Sequence, residues 1–592
     1  MTHAPITPTV PYDIAIIGGG LGAVAATLVA CAAGRRVCII EATHWLGGQC
    51  TSQGVSALDE HRYIESWPGS TSYAAFRRAV RIAMAMRFGV TPATIDGFNP
   101  GNAWVSNLCF LPEVAQQVID ELLAPFVASG LLTIYVESTL VHVHRVGYHI
   151  QSVDIYTIQQ QQQRISASYF VDASDAGDLL AFAQLAYVTG AESQADTREV
   201  HAPLVARPHE VQSFTYGFAV EFVPGSDNRI PKPEGYAQLR DRQPFTLTLT
   251  GNDGEARPFR MFCDGPTGMP PFWTYRRLWD GSHTQPRGTD IALINWNSND
   301  YHEQRIIDQH PEDVAAAHDE AKRLSLAFLY WLQTEVPRDD GGYGYPELRL
   351  RPDVMGTADG LSRVPYVRES RRSPGLKRIV ANDILVAHQP FARARHNDDS
   401  VGVGWYFMDL HPAPGNMTSM FAPTRPFQIP MGALIPPDCH NLLLANKTIA
   451  TTHLSNGAYR LHPIEWQIGT ATACIALESL AAALHPAALY RERAHREAVQ
   501  RRVLASGQAL AWSVDIPFDH PHFAATQWLL VWEIVADGTR AQTLDIHPEI
   551  PLSDTELTRL HMVMKNRGYA GEFTPTMSWN DVCAAISPYL PK

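Results

Sequence analysis

The residues best suited to chemistry in this chain are concentrated in a few short stretches. THLSNGAYRLHP, residues 452–463, carries His453 and His462 with Asn456, Tyr459 and Arg460 between them. Histidine is the side chain whose ordinary pKa lies closest to neutral, so both are candidate general bases. LDEHRYIE supplies Asp59, Glu60, His61 and Glu65. Its residue types suit polar substrate contact or a solvated loop. Consecutive D-E-H does not point at one ion from any helix or strand, so no metal site is expected. YVRESRR places Arg368, Arg371 and Arg372 around Glu369. Arginine there could clasp a carboxylate or phosphate in two-pronged fashion, or join an internal salt-bridge network. DDGGYGYPELRLRPD, with Tyr343, Tyr345, Arg349 and Arg351, could cover a pocket or simply turn.

These groups need a scaffold, and YDIAIIGGGLGAVAATLVACAAGRRVCIIEA, residues 12–42, describes one. DIAII is a buried-strand run. Gly18, Gly20 and Ala23 fill the G-x-G-x-x-G/A turn, with Gly22 inside it. An alanine-rich helix follows and is capped at Gly34, and RVCII is a second strand ending at Glu41. Gly18 makes the tight turn, Gly20 lets backbone approach a pyrophosphate, and Ala23 allows close helix–strand packing. The helix N-terminus favours the phosphate charge. Glu41 stands where a carboxylate accepts from ribose hydroxyls. Strand, turn, helix, strand and acid agree in register, which predicts a dinucleotide site.

The bulk numbers agree with a multidomain globular protein. Of 592 residues, 45% are hydrophobic and 18% charged. That length predicts two or three domains. The net charge of -13 argues against a nucleic-acid partner. The eight cysteines are scattered, without CxxC or metal spacing, which predicts a reducing, cytoplasmic setting. The N-terminal MTHAPITPTVPYD has no signal-peptide pattern, and no apolar run is long enough to span a membrane. A small-molecule substrate is expected, and the numbers are compatible with a homo-oligomer.

WLGGQ, with Gly47, Gly48 and Gln49, is similar to the second FAD motif of the glutathione-reductase-like flavoproteins. ASYFVDASDAGDLLAFA, residues 167–183, is a strand entering an acidic turn and then a helix. NLLLANKTIATTHLSNGAYRLHPIEWQIG is a strand, a loop and a long helix opened near Pro463. With GGQCTSQGVSALDEHRYIE, NPGNAWVSNLCFLPEVA and YVRESRR, these strings cover most of residues 12–485. They resemble the FAD-dependent oxidoreductases of that superfamily, in particular a bacterial group. The resemblance implies an α/β fold: a discontinuous Rossmann-like FAD-binding domain, an inserted mixed α+β substrate domain and a small helical C-terminal region. The boundaries expected are 1–194 and 440–485 for the FAD domain, 195–439 for the substrate domain and 486–592 for the tail. It also implies FAD contacts from Gly18, Gly20, Gly22, Ala23, Glu41, Gly47, Gly48, Gln49, Leu140, Asp175, Asn446, Lys447, Pro463 and Ile464. The sequence departs from the superfamily at DASDAGD, where ATG is usual, and at Asn446-Lys447, where Gly-Asp is usual.

In that fold the loop before the last helix lies by the flavin. His453 is therefore the favoured base, with His462, Arg460 and Tyr459 as further catalytic candidates and Glu60, His61, Arg368 and Asn456 as substrate contacts. The expected reaction moves a hydride from a C–H bond next to oxygen or nitrogen onto flavin N5. No second dinucleotide motif exists, so the oxidant would be oxygen, a quinone or a protein carrier. A redox-neutral isomerase or hydratase, and a non-catalytic FAD-stabilised scaffold, are the rival readings. Cys50 has no partner at the C-x₄-C spacing of the disulfide reductases, so a dithiol relay is excluded and a packing role expected. Covalent flavin attachment to it has no positive support.

Overall fold

A computed structural model describes residues 11–251, 253–535 and 538–591. The first ten residues, on which the N-terminal reading chiefly rests, lie outside it. The organising element is a five-stranded parallel sheet. Its order is Leu442–Leu444, Ala167–Asp172, Tyr12–Ile17, Val37–Ile40, Leu132–Tyr135. These are short apolar runs because both faces of such a sheet are covered. One cover is made by helices Leu21–Ala32 and His462–Ala482, which pack on each other with no room to spare. A Cβ on Gly469 would lie 1.9 Å from the Gly22 carbonyl oxygen, and one on Gly22 would lie 2.0 Å from that of Ala445. A three-stranded antiparallel meander, Thr139–Val146, His149–Tyr156 and Gln162–Ile165, precedes the sheet strand Ala167–Asp172, with the glutamine run at its exposed tip.

A second core gathers residues between Phe214 and Leu361. It surrounds the four-stranded sheet of Arg277–Trp279, Ile291–Ile294, Phe218–Phe222 and Leu348–Leu350 and the long helix Pro311–Thr334. Past it the chain returns: Ile379, Ile384, Val401, Phe427 and Ile429 all lie in the first core. Helix Arg493–Ala505 belongs there too, through Val499 and Val503. A third core, with Trp512, Leu529 and Trp579, forms the C-terminal helical region and closes over Trp67. Among the described residues no helix is long and apolar enough to cross a membrane.

Arg393 ties this last region down. Its guanidinium donates to the carbonyls of Arg540, Thr543, Trp512 and Leu544. Burial lowers its pKa to about 10, so it stays charged at neutral pH. Arg393→Ala leaves four carbonyls without their donor. It should destabilise the protein by about 2–4 kcal/mol, read in a guanidinium melt, with the C-terminal region becoming protease-sensitive first. An unchanged melt and digest would count against the clamp.

Candidate functional site

The dinucleotide turn has the geometry its glycines require. Gly18 sits at φ +96°, and a Cβ there would lie 2.3 Å from the Ala173 oxygen. The Gly47-Gly48 pair docks directly on this turn. Gly47 N–H donates to the Gly19 carbonyl at 2.7 Å, and a Cβ on Gly48 would lie 3.0 Å from Gly20 Cα. The second glycine pair thus serves backbone-on-backbone contact with the first. Ala23 is fully buried, but the closest approach to the closing strand is made by Gly22. Glu41 receives the N–H groups of Gly19 and Thr43, each at 2.7 Å, and burial raises its pKa against those bonds. Leu140 lies on the first meander strand just beyond Ser138, whose N–H reaches the Glu41 carbonyl.

The closing strand delivers Asn446 and Lys447 to the acidic turn. Lys447 Nζ meets Asp175 at 2.7 Å, and Asn446 Nδ2 reaches Asp175 and the Ala173 carbonyl. Pro463 and Ile464 open the last helix, both buried. Glu465, one residue on, is buried with Oε1 on the Gly22 N–H at 3.3 Å and Oε2 on Gln49 Nε2 at 2.7 Å. Burial raises its pKa and Lys447 opposes the rise. Asp172, at the end of the strand Ala167–Asp172, was not singled out from sequence. It takes the N–H groups of Ser174 and Leu180, and burial lifts it to about 7.

Between this turn and the inserted domain lies a group of buried polar atoms with no partner among the described residues. They are Gln49 Oε1, both amide atoms of Gln53, Ser56 Oγ and Ser362 Oγ. Buried polar groups are otherwise almost always satisfied. A polar ring system edged with donors and acceptors would supply what they lack. The residues present therefore fit FAD: the glycine turn, Glu41 and Lys447 for its dinucleotide part, and the Gln49–Ser56 loop with Ser362 for the ring.

Beyond the glutamines is a charged, aromatic cluster built from both domains. Asp59 N–H donates to His462 Nδ1 at 3.3 Å, and the Asp59 carboxylate meets Arg276 at 3.3 Å. Arg460, whose carbonyl takes Gln49 Nε2, donates to Tyr366 Oη at 2.5 Å and to Asp409 at 3.4 Å. His411 bridges Asp409 and Asp300, and Arg368 meets Asp300 at 2.9 Å beneath the Tyr366 ring. Burial would raise Asp409, but His411 and Arg460 hold it at about 2. Tyr275 and Tyr406 complete the group. Burial, above all, raises the pKa of both phenols, so they stay neutral donors. Tyr275, Arg276, Tyr366, Tyr406, Asp409 and His411 were not proposed as site residues from sequence, whereas Asp59 belongs to the LDEHRYIE stretch read as polar substrate contact or a solvated loop. Tyr366 lay inside a quoted stretch; the others belong to no motif.

Several expected site residues are occupied elsewhere. Glu60 accepts from Tyr73 at 2.8 Å and from Arg77 at 2.9 and 3.1 Å, which ties its carboxylate to the helix Thr71–Arg87. His61 packs edge-on against Trp512 at 4.9 Å; burial, with Arg77, lowers it to about 3. Tyr459 stacks on Phe427 and donates to the Gln428 carbonyl. Asn456 Nδ2 donates to the Arg368 carbonyl, so it positions that arginine's backbone. Arg372 joins Glu369 and Glu192 in a buried network, and Arg349 and Arg351 both pair with Glu221. His462 is fully buried and burial lowers it to about 4. His453 presents Nδ1 to Glu369 at 2.9 Å. Among the described residues no cluster could hold a metal ion.

Cys50 is buried, its thiol 3.5 Å from the Gly47 carbonyl, and burial pushes its pKa up. A neutral, enclosed thiol is inert. Cys50→Ser should retain FAD and keep turnover within about tenfold. Flavin that survives denaturation attached to the wild type and detaches in this variant would contradict the packing role.

A five-stranded parallel sheet with a glycine turn, a half-buried acid closing its second strand and a group of unpartnered buried polar atoms beside them fits an FAD-binding flavoprotein. Comparison agrees: the FAD dependent oxidoreductase family matches residues 13–503, and the chain belongs to that family. No curated relative matches. Solved structures that resemble it include E. coli quinol fumarate reductase, at 11% identity over 99% of this chain and 87% of that one, with a TM-score of 0.31. Another is a geranylgeranyl bacteriochlorophyll reductase-like protein from Thermoplasma acidophilum, at 10% identity over 98% and 97%, also 0.31. With L-proline dehydrogenase from P. horikoshii the likeness spans 28% of this chain and 22% of that one, at 19% identity and a TM-score of 0.16. Scores this low carry no argument, so the assignment rests on the family match and the site. The protein is an FAD-dependent oxidoreductase.

Proposed function

We propose that this oxidoreductase removes a hydride from a C–H bond next to oxygen or nitrogen of a small polar substrate, and that oxygen, a quinone or a protein carrier takes the electrons onward. Bound FAD supplies the two-electron acceptor. The observation that carries the reading is the continuity of the site. Unpartnered polar atoms at Gln49, Gln53 and Ser56 lead from the glycine turn to the cluster around Arg276, Arg460 and Tyr366. A substrate held in that cluster by arginines and phenols would lie next to the ring pocket, shielded from water by the inserted domain.

His453 is the proposed proton acceptor. Glu369 holds its Nδ1, fixing ring and tautomer as the orienting carboxylate of a triad does, while Nε2 makes no hydrogen bond among the described residues. Candidate substrates added anaerobically to the yellow protein test the function. Stoichiometric bleaching supports it. Turnover without net electron transfer would favour an isomerase or hydratase, and neither response would leave a scaffold.

A further inference from the structure

We infer that the substrate bears a carboxylate, seated between Arg276 and Arg460 and within reach of Tyr275 and Tyr406. This rests on the cluster being the substrate end of the flavoenzyme site. Arg276, Arg368 and Arg460 are 9%, 2% and 3% exposed, and each has an Nε with no acceptor among the described residues. Their other nitrogens are engaged: Arg276 with Asp59 and the Ala57 carbonyl, Arg368 with Asp300, Thr215 and the Ser213 carbonyl, Arg460 with Tyr366 and Asp409. Tyr366 Oη, receiving from Arg460, keeps its own proton to donate. Tyr275 lies against the Arg276 guanidinium, whose Cζ is 5.2 Å from the ring centroid, and Tyr406 is the further phenol of the group.

The cluster's charges are already matched, three aspartates against three guanidiniums. What it has in excess is donors. A hydroxyl or an amide would offer those donors fewer lone pairs and no charge. A carboxylate brings acceptors only, with about four lone-pair sites on two oxygens, and suits arginine forks best. A phosphate dianion shares that chemistry but would place a second negative charge beside Asp59 and Asp409, which the desolvated site disfavours. The carboxylate would anchor the substrate at the arginines and leave its neighbouring carbon free to face the ring pocket lined by Gln49 and Gln53.

The test uses the FAD-loaded protein titrated calorimetrically with acetate, benzoate and succinate, with the matched amides, and with phosphate and sulfate. The visible flavin band is recorded in parallel. At least one carboxylate should bind, with its amide at least about tenfold weaker. Arg276→Gln should weaken that carboxylate by at least about tenfold while FAD content is unchanged. Because Arg276 also braces the Asp59 loop, Tyr406→Phe serves as a second variant and should weaken the same carboxylate severalfold. No carboxylate binding, an amide that binds equally, a phosphate or sulfate that binds more tightly than every carboxylate, or affinity indifferent to both substitutions overturns the inference. If uncharged alcohols or amines bleach the flavin while no carboxylate binds, the oxidoreductase reaction stands and the carboxylate falls. If carboxylates bind through Arg276 but nothing reduces the flavin, the reverse holds.

Discussion

Gly20→Val should yield folded, colourless protein. Gly20 has φ -62° and caps the first helix, a conformation valine tolerates, so the backbone is not strained by the change. The obstacle is space: a Cβ there would lie 2.5 Å from Glu465 Oε1, and Gly48 already rests on Gly20 Cα. A branched side chain would push into the seat at the helix N-terminus, where a dinucleotide's phosphate charge is stabilised. FAD affinity should fall by at least about a hundredfold, or about 2.7 kcal/mol, measured by fluorescence titration of the apoprotein. Gly20→Ala, with one methyl against the movable end of Glu465, should lose less. Circular dichroism separates cofactor loss from unfolding. A valine variant that purifies yellow with stoichiometric FAD would refute the placement of the pyrophosphate.

His453→Ala should slow anaerobic flavin reduction by about 10²–10⁴-fold, the usual contribution of a positioned base, with FAD still bound. The pH profile gives a second, independent readout. Burial alone would lower the histidine's pKa, but Glu369 outweighs it and the result lies above the usual value near 6.5. His453 is therefore protonated at low pH and becomes a base only as pH rises through that raised value. The rate of reduction should climb over the same interval. Glu369→Gln removes the charge that raises the pKa, so it should shift the limb to lower pH and reduce its height. His462→Ala should not move this limb, since burial holds that ring neutral at about 4 and its Nδ1 is taken by Asp59 N–H. Stopped-flow reduction of the three variants decides the matter. A wild-type rate in His453→Ala would place the base elsewhere, with His411 and Asp409 next in line.

The nucleotide half of the protein was legible because its signals are local. A glycine turn needs positive φ or close backbone approach within a few residues, and a parallel strand needs a short apolar run. Gly47 and Glu41 meet those needs with neighbours close in sequence, and Gly18 through its own positive φ, so residue type and spacing were enough. Cys50 was legible for a similar reason: a dithiol relay requires a second sulfur nearby, and none was present.

The substrate end was not legible in the same way. LDEHRYIE looked like one polar cluster, yet Asp59 reaches Arg276 and His462, Glu60 is consumed by Arg77 and Tyr73, and His61 is covered by Trp512 from the C-terminal region. Three adjacent residues have three fates because the loop runs between different domains. Arg276 and Asp409 come from stretches with no motif and lie 133 positions apart, joined to Arg460 only when the inserted domain folds back on the sheet. By itself, then, the sequence determined the cofactor, the parallel α/β scaffold and the absence of a dithiol relay, since each rests on short-range backbone or covalent requirements. The tertiary structure alone decided which charges are cancelled and which donors stay unpaired, because pairing depends on long-range packing that spacing along the chain does not encode.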